Sequence, residues 1–253
     1  MSVTVHQFAC LQDNYGYLIR DDVSGQVACI DTPDAARILD ELDRLKWPLH
    51  YILNTHWHPD HAGGNEAIRA ATSCTIIGPQ EVARVAPLDR SVTGGDVIQF
   101  GANHVDVLEV GGHTHGHIAY YLRDEHLAFV GDVLFPMGCG RLFEGTAEQM
   151  WASLSRLAAL PKHTVVYSAH EYTAGNAQFA LSVDDDPVVR KRAELIFAAR
   201  ARGEPTVPTT IDAELATNPF LRAPHLAGRA GLAHSSDAEA FGAIRRAKDN
   251  FKG

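Results

Sequence analysis

Cysteine is scarce and scattered in this chain. Cys10, Cys29, Cys74 and Cys139 are its only four, and no two fall in a C-x-x-C pair. That excludes a disulfide-dense secreted scaffold and points to a reducing, cytoplasmic setting. Long apolar runs are missing too: no stretch approaches the ~20 apolar residues a spanning helix needs. The opening "MSVTVHQFACLQDNYGYLIR" lacks a basic segment followed by an apolar one, so a soluble, untargeted protein without a membrane partner is expected. Nor is there an excess of positive charge. The formal net charge of −9 excludes the broad basic surface that binding a phosphate backbone requires, and nucleic acid is not an expected partner. Disorder and low complexity are excluded by a hydrophobic content of 45% and a charged content of 21%, both ordinary for globular proteins. At 253 residues the chain suffices for one large domain, or one domain with a smaller companion.

What is present changes character once along the chain. Up to about residue 170, short β-rich runs alternate with helical stretches: "YGYLIR", "VACID", "HYILNTH", "CTIIG", "DVIQF", "VDVLEV", "HIAYYL", "LAFVGD" and "TVVYSAH". They predict a sheet-containing α/β domain over residues 1–173. Beyond it, "AGNAQFALSV", "DPVVRKRAELIFAARARG" and "SSDAEAFGAIRRAKDN" predict helices, interrupted by the proline-rich segment 204–208. Residues 174–253 therefore form a small helical C-terminal domain. Ser236 followed three residues later by Glu239 has the spacing of a capping box and marks the start of the last helix.

The densest chemistry lies in "NTHWHPDH", residues 54–61. Imidazole and carboxylate are metal ligands, and His56, His58, Asp60 and His61 follow the apolar run "YIL". This places them on a loop leaving a strand. Pro59 is expected to block a regular strand or early helix there, and Gly63 with Gly64 to permit a tight turn. Further donors sit at other strand ends: His113 after "VDVLEVGG", Asp132 after "LAFVG" and His170 after "TVVYSA". Seven such groups exceed the needs of one tetrahedral zinc, whereas two metals sharing a bridging carboxylate use them all. In "HTHGH" only one of His113, His115 and His117 need bind metal, and spacing does not rank them. The other histidines, His6, His50, His104, His126, His163, His225 and His234, are read as structural or surface groups.

With "GGHTHGH", "FVGD" and "SAHEYT" added, "THWHPDH" resembles the metallo-β-lactamase superfamily, which implies an αββα sandwich with a dinuclear site at one edge. "DNYGYLI", "GDVLFPMGCGRLFEGTAEQM", "NPFLR" and the ending "IRRAKDNFKG" narrow the resemblance to glyoxalase II, the hydroxyacylglutathione hydrolases. It implies that His56, His58 and His113 hold one metal, that Asp60, His61 and His170 hold the other, and that Asp132 bridges them. Zinc is the first choice of metal, with iron or manganese as alternatives. It also places Arg141, Phe143, Tyr172, Arg245 and Lys248 where family members contact glutathione. Phe143 lacks the hydroxyl of the tyrosine some members carry, and Ala169 stands where glycine is common. The implied reaction is hydrolysis of the glutathione thioester of a 2-hydroxy acid, S-D-lactoylglutathione first, by a monomeric enzyme. In it Asp60 and Asp132 are the catalytic carboxylates, and water made nucleophilic by two divalent cations attacks the carbonyl. Three alternatives predict other behaviour: a glutathione persulfide dioxygenase uses one mononuclear iron, a nuclease of this fold needs an extended basic surface, and a non-catalytic metal-stabilised module has closed coordination.

Overall fold

A computed structural model of the chain describes residues 2–229 and 235–252; His234 lies outside the described residues. The chain divides into two compact units, Met1–Glu109 with Gly116–Gly131, and Val110–His115 with Asp132–Gly253.

The first unit contains β1 (Val3–Cys10), β2 (Asn14–Asp21), β3 (Val27–Ile30), α1 (Ala35–Leu45), β4 (Tyr51–Leu53), α2 (Pro59–Ala62), α3 (Asn65–Thr72), β5 (Thr75–Gly78), β6 (Arg90–Ser91), β7 (Val97–Phe100), β8 (Asn103–Glu109), β9 (Ile118–Leu122) and β10 (Leu127–Gly131). Strands β1 to β6 make one sheet in sequence order. It is antiparallel through β3 and parallel from β3 onward. Strands β7 to β10 make successive antiparallel pairs.

Period-two alternation explains how the first sheet is covered on both faces. Leu18, Cys29, Ile52 and Ile76 lie in register across four strands, and this row packs against Ile38 and Leu42 of α1 and Ile68 of α3. The alternate row, Tyr17, Ile30, Leu53 and Ile77, faces the second set of strands. There the Tyr17 ring meets Phe129 of β10 edge-on at 5.6 Å, and the buried Tyr120 hydroxyl donates to Asn54 O at 2.7 Å. Strands β9 and β10 are buried at every residue, which is why they read as unbroken apolar runs instead of alternating ones.

The second unit contains β11 (Leu134–Phe135), β12 (Gly138–Cys139), α4 (Ala147–Ala158), β13 (Val165–Ser168), α5 (Thr173–Val183), α6 (Pro187–Ala201), β14 (Thr209–Thr210), α7 (Ile211–Thr217), α8 (Ala223–Arg229) and α9 (Asp237–Asp249). β11 and β12 form a hairpin, and β13 pairs with β14. Ala177 and Ala180 of α5 pack on Val189, Ala193 and Ile196 of α6 and on Met137. Small side chains on α5 let the two helices approach closely. Trp151 of α4 lies 6.2 Å from Phe241 of α9. Ser236 caps α9 by accepting from Glu239 N, as its spacing predicts, and the Glu239 carboxylate accepts from Ser235 N.

Every β-rich run and each of the three C-terminal helices read from the sequence is present. Strand β1 and the two-residue strands β6, β11, β12 and β14 were not anticipated. The short ones carry too few residues to display a period. The composition change near residue 173 and the compact division at 131 and 132 mark different things: strands largely cease at the first, whereas α4 already packs with the C-terminal helices.

Candidate metal centre

In the first unit, four of the expected donors converge. Leaving β4, the backbone turns at Thr55, whose N–H and hydroxyl both donate to the buried Asp31 carboxylate, at 2.7 and 2.8 Å. Asp31 also accepts from His61 Nδ1 at 2.9 Å. A carboxylate at Nδ1 places the His61 proton there and its lone pair on Nε2, the form a metal requires. His61 Nε2 lies 3.4 Å from Asp60 Oδ2, and His56 Nε2 lies 3.0 Å from His58 Nδ1. The His56 ring centroid lies 4.0 Å from that of His61 and 4.4 Å from that of His117. Electron-rich nitrogens and oxygens crowded together are the donor chemistry of a divalent cation site, so the residues fit one.

One local expectation is corrected and one is met in a different way than a glycine turn suggests. Pro59 does not block a helix: it is the first residue of α2, where its missing N–H is no loss and its fixed φ suits the first turn. Asp60 and His61 are consequently helical and only His56 and His58 lie on the loop. Gly63 and Gly64 do form the expected turn between α2 and α3, with right-handed backbone angles. They are required for space. A Cβ on Gly63 would lie 2.4 Å from Pro59 O, and one on Gly64 2.7 Å from Thr32 O.

In the second unit, Asp132 presents one carboxylate oxygen to each of two imidazoles. Its Oδ2 lies 3.3 Å from His113 Nε2 and its Oδ1 3.3 Å from His170 Nε2. All three are buried. His113 Nδ1 donates to Arg141 O at 2.9 Å, which again puts the lone pair on Nε2. The His170 ring is stacked on that of Tyr172, 4.7 Å away and 2° from parallel. Gly112 has φ 138° and approaches Met150 so closely that a Cβ would sit 2.8 Å from the Met150 Cβ; the turn that delivers His113 therefore needs glycine.

A cavity of about 460 Å³ in the second unit is lined by His113 and Asp132 together with all five expected substrate contacts, Arg141, Phe143, Tyr172, Arg245 and Lys248. Phe143 and Tyr172 are exposed at it, whereas Arg245 is buried. The Arg245 guanidinium donates to Cys139 O at 3.0 Å and twice to Asp249 Oδ1, and it lies over the Phe220 ring. Arg245 is thus held by the protein itself. The Lys248 ammonium donates to Gly175 O at 2.8 Å and lies within 5.5 Å of the Phe179 and Phe251 ring centroids. Burial, with the charges of Arg245 and Arg141, pushes its pKa below the usual lysine value. Burial pushes the neighbouring Cys139 thiol up to about 11 against the opposing Arg245 charge. Cys139 therefore stays a protonated, poor nucleophile near neutral pH.

Sequence reasoning left two supporting residues, Asp31 and Asn14, unnamed and His117 unranked. Asp31 follows "VACI" just as Asp132 follows "LAFVG", and that strand-end position was its signal. Asn14 donates to Asp60 Oδ2 at 3.1 Å. His117 is buried and stacked on His56, while His115 is exposed and its backbone N–H donates to Glu144 Oε2 at 2.8 Å.

Comparison with known proteins gives a concordant picture. Residues 17–170 match the family described as the metallo-β-lactamase superfamily, and residues 171–251 match the one described as the hydroxyacylglutathione hydrolase C-terminus. A hydroxyacylglutathione hydrolase from Erythrobacter litoralis is 51% identical over 98% of this chain and 99% of its own. Among solved structures, ETHE1 from Myxococcus xanthus superposes with a TM-score of 0.71 at 27% identity, covering 98% of this chain and 92% of that one. TTHA1623 in a di-iron-bound form superposes with a TM-score of 0.62 at 25% identity, covering 86% of this chain and all of that one. The fold is the metallo-β-lactamase fold with a helical C-terminal region, and its histidine and aspartate clusters mark a binder of divalent metal. The chain belongs to the metallo-β-lactamase superfamily and, within it, to the hydroxyacylglutathione hydrolase family.

Proposed function

We propose that this chain hydrolyses S-2-hydroxyacylglutathione, S-D-lactoylglutathione first, to glutathione and the free 2-hydroxy acid, using two divalent metal ions. His56, His58 and His113 would hold one ion and Asp60, His61 and His170 the other, with the Asp132 carboxylate available to both. Zinc is the first candidate. The observation that carries this reading is the cavity of the second unit, where His113 and Asp132 share one space with the cations Arg141, Arg245 and Lys248. A thioester has a reactive carbonyl, and its glutathione portion has remote carboxylates; the cavity offers metal donors for the first and positive charge for the second.

When bound, divalent cations supply Lewis acidity, lowering the pKa of water toward neutrality and polarising a carbonyl. The chain's own groups do the rest. Asp60, steadied by Asn14, orients the attacking water. The protonated nitrogens of His61 and His113 are committed to Asp31 and to Arg141 O, which fixes both rings. No strong general acid is needed, because a simple thiolate leaves with a conjugate-acid pKa of ~8.5. Cys139, held protonated, does not compete as nucleophile.

Residues 1–173 act as the catalytic domain and 174–253 as the substrate-binding domain, in a cytoplasmic monomer. Four buried, unbridged cysteines support the cytoplasm. The test is an assay of purified protein with S-D-lactoylglutathione in aerobic and anaerobic buffer, alongside metal analysis. Equal rates and two metals per chain are expected. Turnover that depends on oxygen and on a persulfide, with one iron per chain, would replace this reading with the dioxygenase. The 51% identity to a hydrolase over nearly the whole chain weighs against that outcome.

A further inference from the structure

Asn218 of "NPFLR" and Glu214 of the helix before it have no role in the reading above, yet they hold a turn that borders the cavity. Around the β11–β12 turn, backbone groups of four successive residues are bound by buried side chains of the C-terminal helical region. Phe135 O and Gly138 O accept from Asn218 Nδ2 at 3.1 and 2.9 Å. Pro136 O accepts from Asn176 Nδ2 at 3.2 Å, and Met137 N donates to Glu214 Oε2 at 2.8 Å. Glu214 and Asn218 are also joined to each other at 2.8 Å, and both are fully buried. The far oxygen of Glu214 accepts from Arg192 at 2.5 Å and from Thr209 at 2.6 Å.

Such a turn does not hold itself. A two-stranded hairpin with two residues per strand has almost no ladder of its own, and Met137 sits in the left-handed region at φ 56°, where a side chain is disfavoured. The conformation persists because surrounding groups over-determine it. Its position matters: Asp132 lies three residues before Phe135, Arg141 lies three residues after Gly138, and Phe135 and Cys139 themselves line the cavity.

We propose that Glu214 and Asn218 are positioning residues for substrate binding: by clamping the 135–138 turn they set where Arg141 and the cavity wall stand. The helical region thus shapes the binding surface from behind as well as supplying Lys248 to it. This inference rests on the thioester-hydrolase reading, so turnover of S-D-lactoylglutathione by the wild-type chain is measured first, and its absence counts against that reading alone.

The deciding experiment compares Asn218→Ala and Glu214→Gln with Ile68→Ala, a core substitution in the first unit that lowers Tm without touching the turn. Asn218→Ala should raise KM about tenfold while kcat and metal content stay within about threefold, with Glu214→Gln moving KM less in the same direction. Hydrogen exchange at the Met137 amide should accelerate in both, and not in Ile68→Ala. A KM within about twofold of wild type in the folded variants, or an equal rise in Ile68→Ala, overturns the proposal. Should Asn218→Ala fail to fold, Glu214→Gln decides by the same criteria.

Discussion

The donor cluster of the first unit and that of the second use the same ligand chemistry but are assembled at different ranges. His56, His58, Asp60 and His61 come from one strand exit and the first turn of α2, and a side chain, Asp31, orients His61. His113, Asp132 and His170 come from three separate strand ends. There the orienting partners of the imidazoles are a backbone carbonyl, Arg141 O, and the face of Tyr172. His61 depends on a carboxylate that a substitution can delete, whereas His113 depends on a backbone carbonyl, which a point mutation moves only by disturbing the loop.

The largest effect should come from the one carboxylate that serves both imidazoles of the second cluster. Asp132→Ala should lower kcat by well over ~100-fold and reduce metal content, since losing a ligand exceeds the loss from its supports. Near-normal turnover with two metals retained would break the bridging assignment. Next, Asp31→Ala should weaken metal affinity ~10–100-fold by freeing the His61 ring and tautomer, read by metal titration of the metal-free protein. An unchanged affinity would mean that backbone path alone orients both clusters, and the contrast between them would vanish.

A third and smaller effect separates Arg245 from Lys248, two of the three basic residues of α9. Lys248→Ala should raise KM about tenfold with little change in kcat, and added salt should weaken wild-type binding more than the variant's. Arg245→Ala should act on Tm as well as on KM, because it removes a cavity cation and leaves Asp249 and Cys139 O without the guanidinium that holds them. The smallest effect lies in the first unit, away from the donors. Burial raises the Asp21 pKa, but hydrogen bonds from Ser24, Ala102 and Asn103 outweigh it and hold the carboxyl below its ordinary value. A lowered folded-state pKa stabilises above the unfolded value, and that stability fades as pH falls through the folded one. Tm should therefore drop below about pH 4 in the wild type and less steeply in Asp21→Asn, with kcat unaffected.

Much of the sheet was legible because period-two burial is written locally, as in the rows through Leu18 and Tyr17. The histidine-rich stretch was legible because its donors are neighbours in the chain. Less legible were the roles of Pro59, Gly63 and Gly64, for the same residue types serve turns, helix starts and close contacts, and only the surrounding atoms distinguish these uses. Arg245 was legible as a cation on a basic helix face, but its burial against Phe220 and Asp249 was not.

The sequence by itself determined the metal-ligand chemistry of residues 56–61, the alternation that makes the strands and the helical character of the C-terminal region. Those properties follow from residue type and short spacing, and they travel with any segment. Tertiary structure alone decided that His113, and not His115, faces Asp132, that His117 stacks on His56, that Asp31 orients His61, and that Glu214 and Asn218 hold a turn some eighty residues earlier. Each is a contact between groups far apart in the chain. Its geometry is set by how whole elements pack, and no local pattern carries that information.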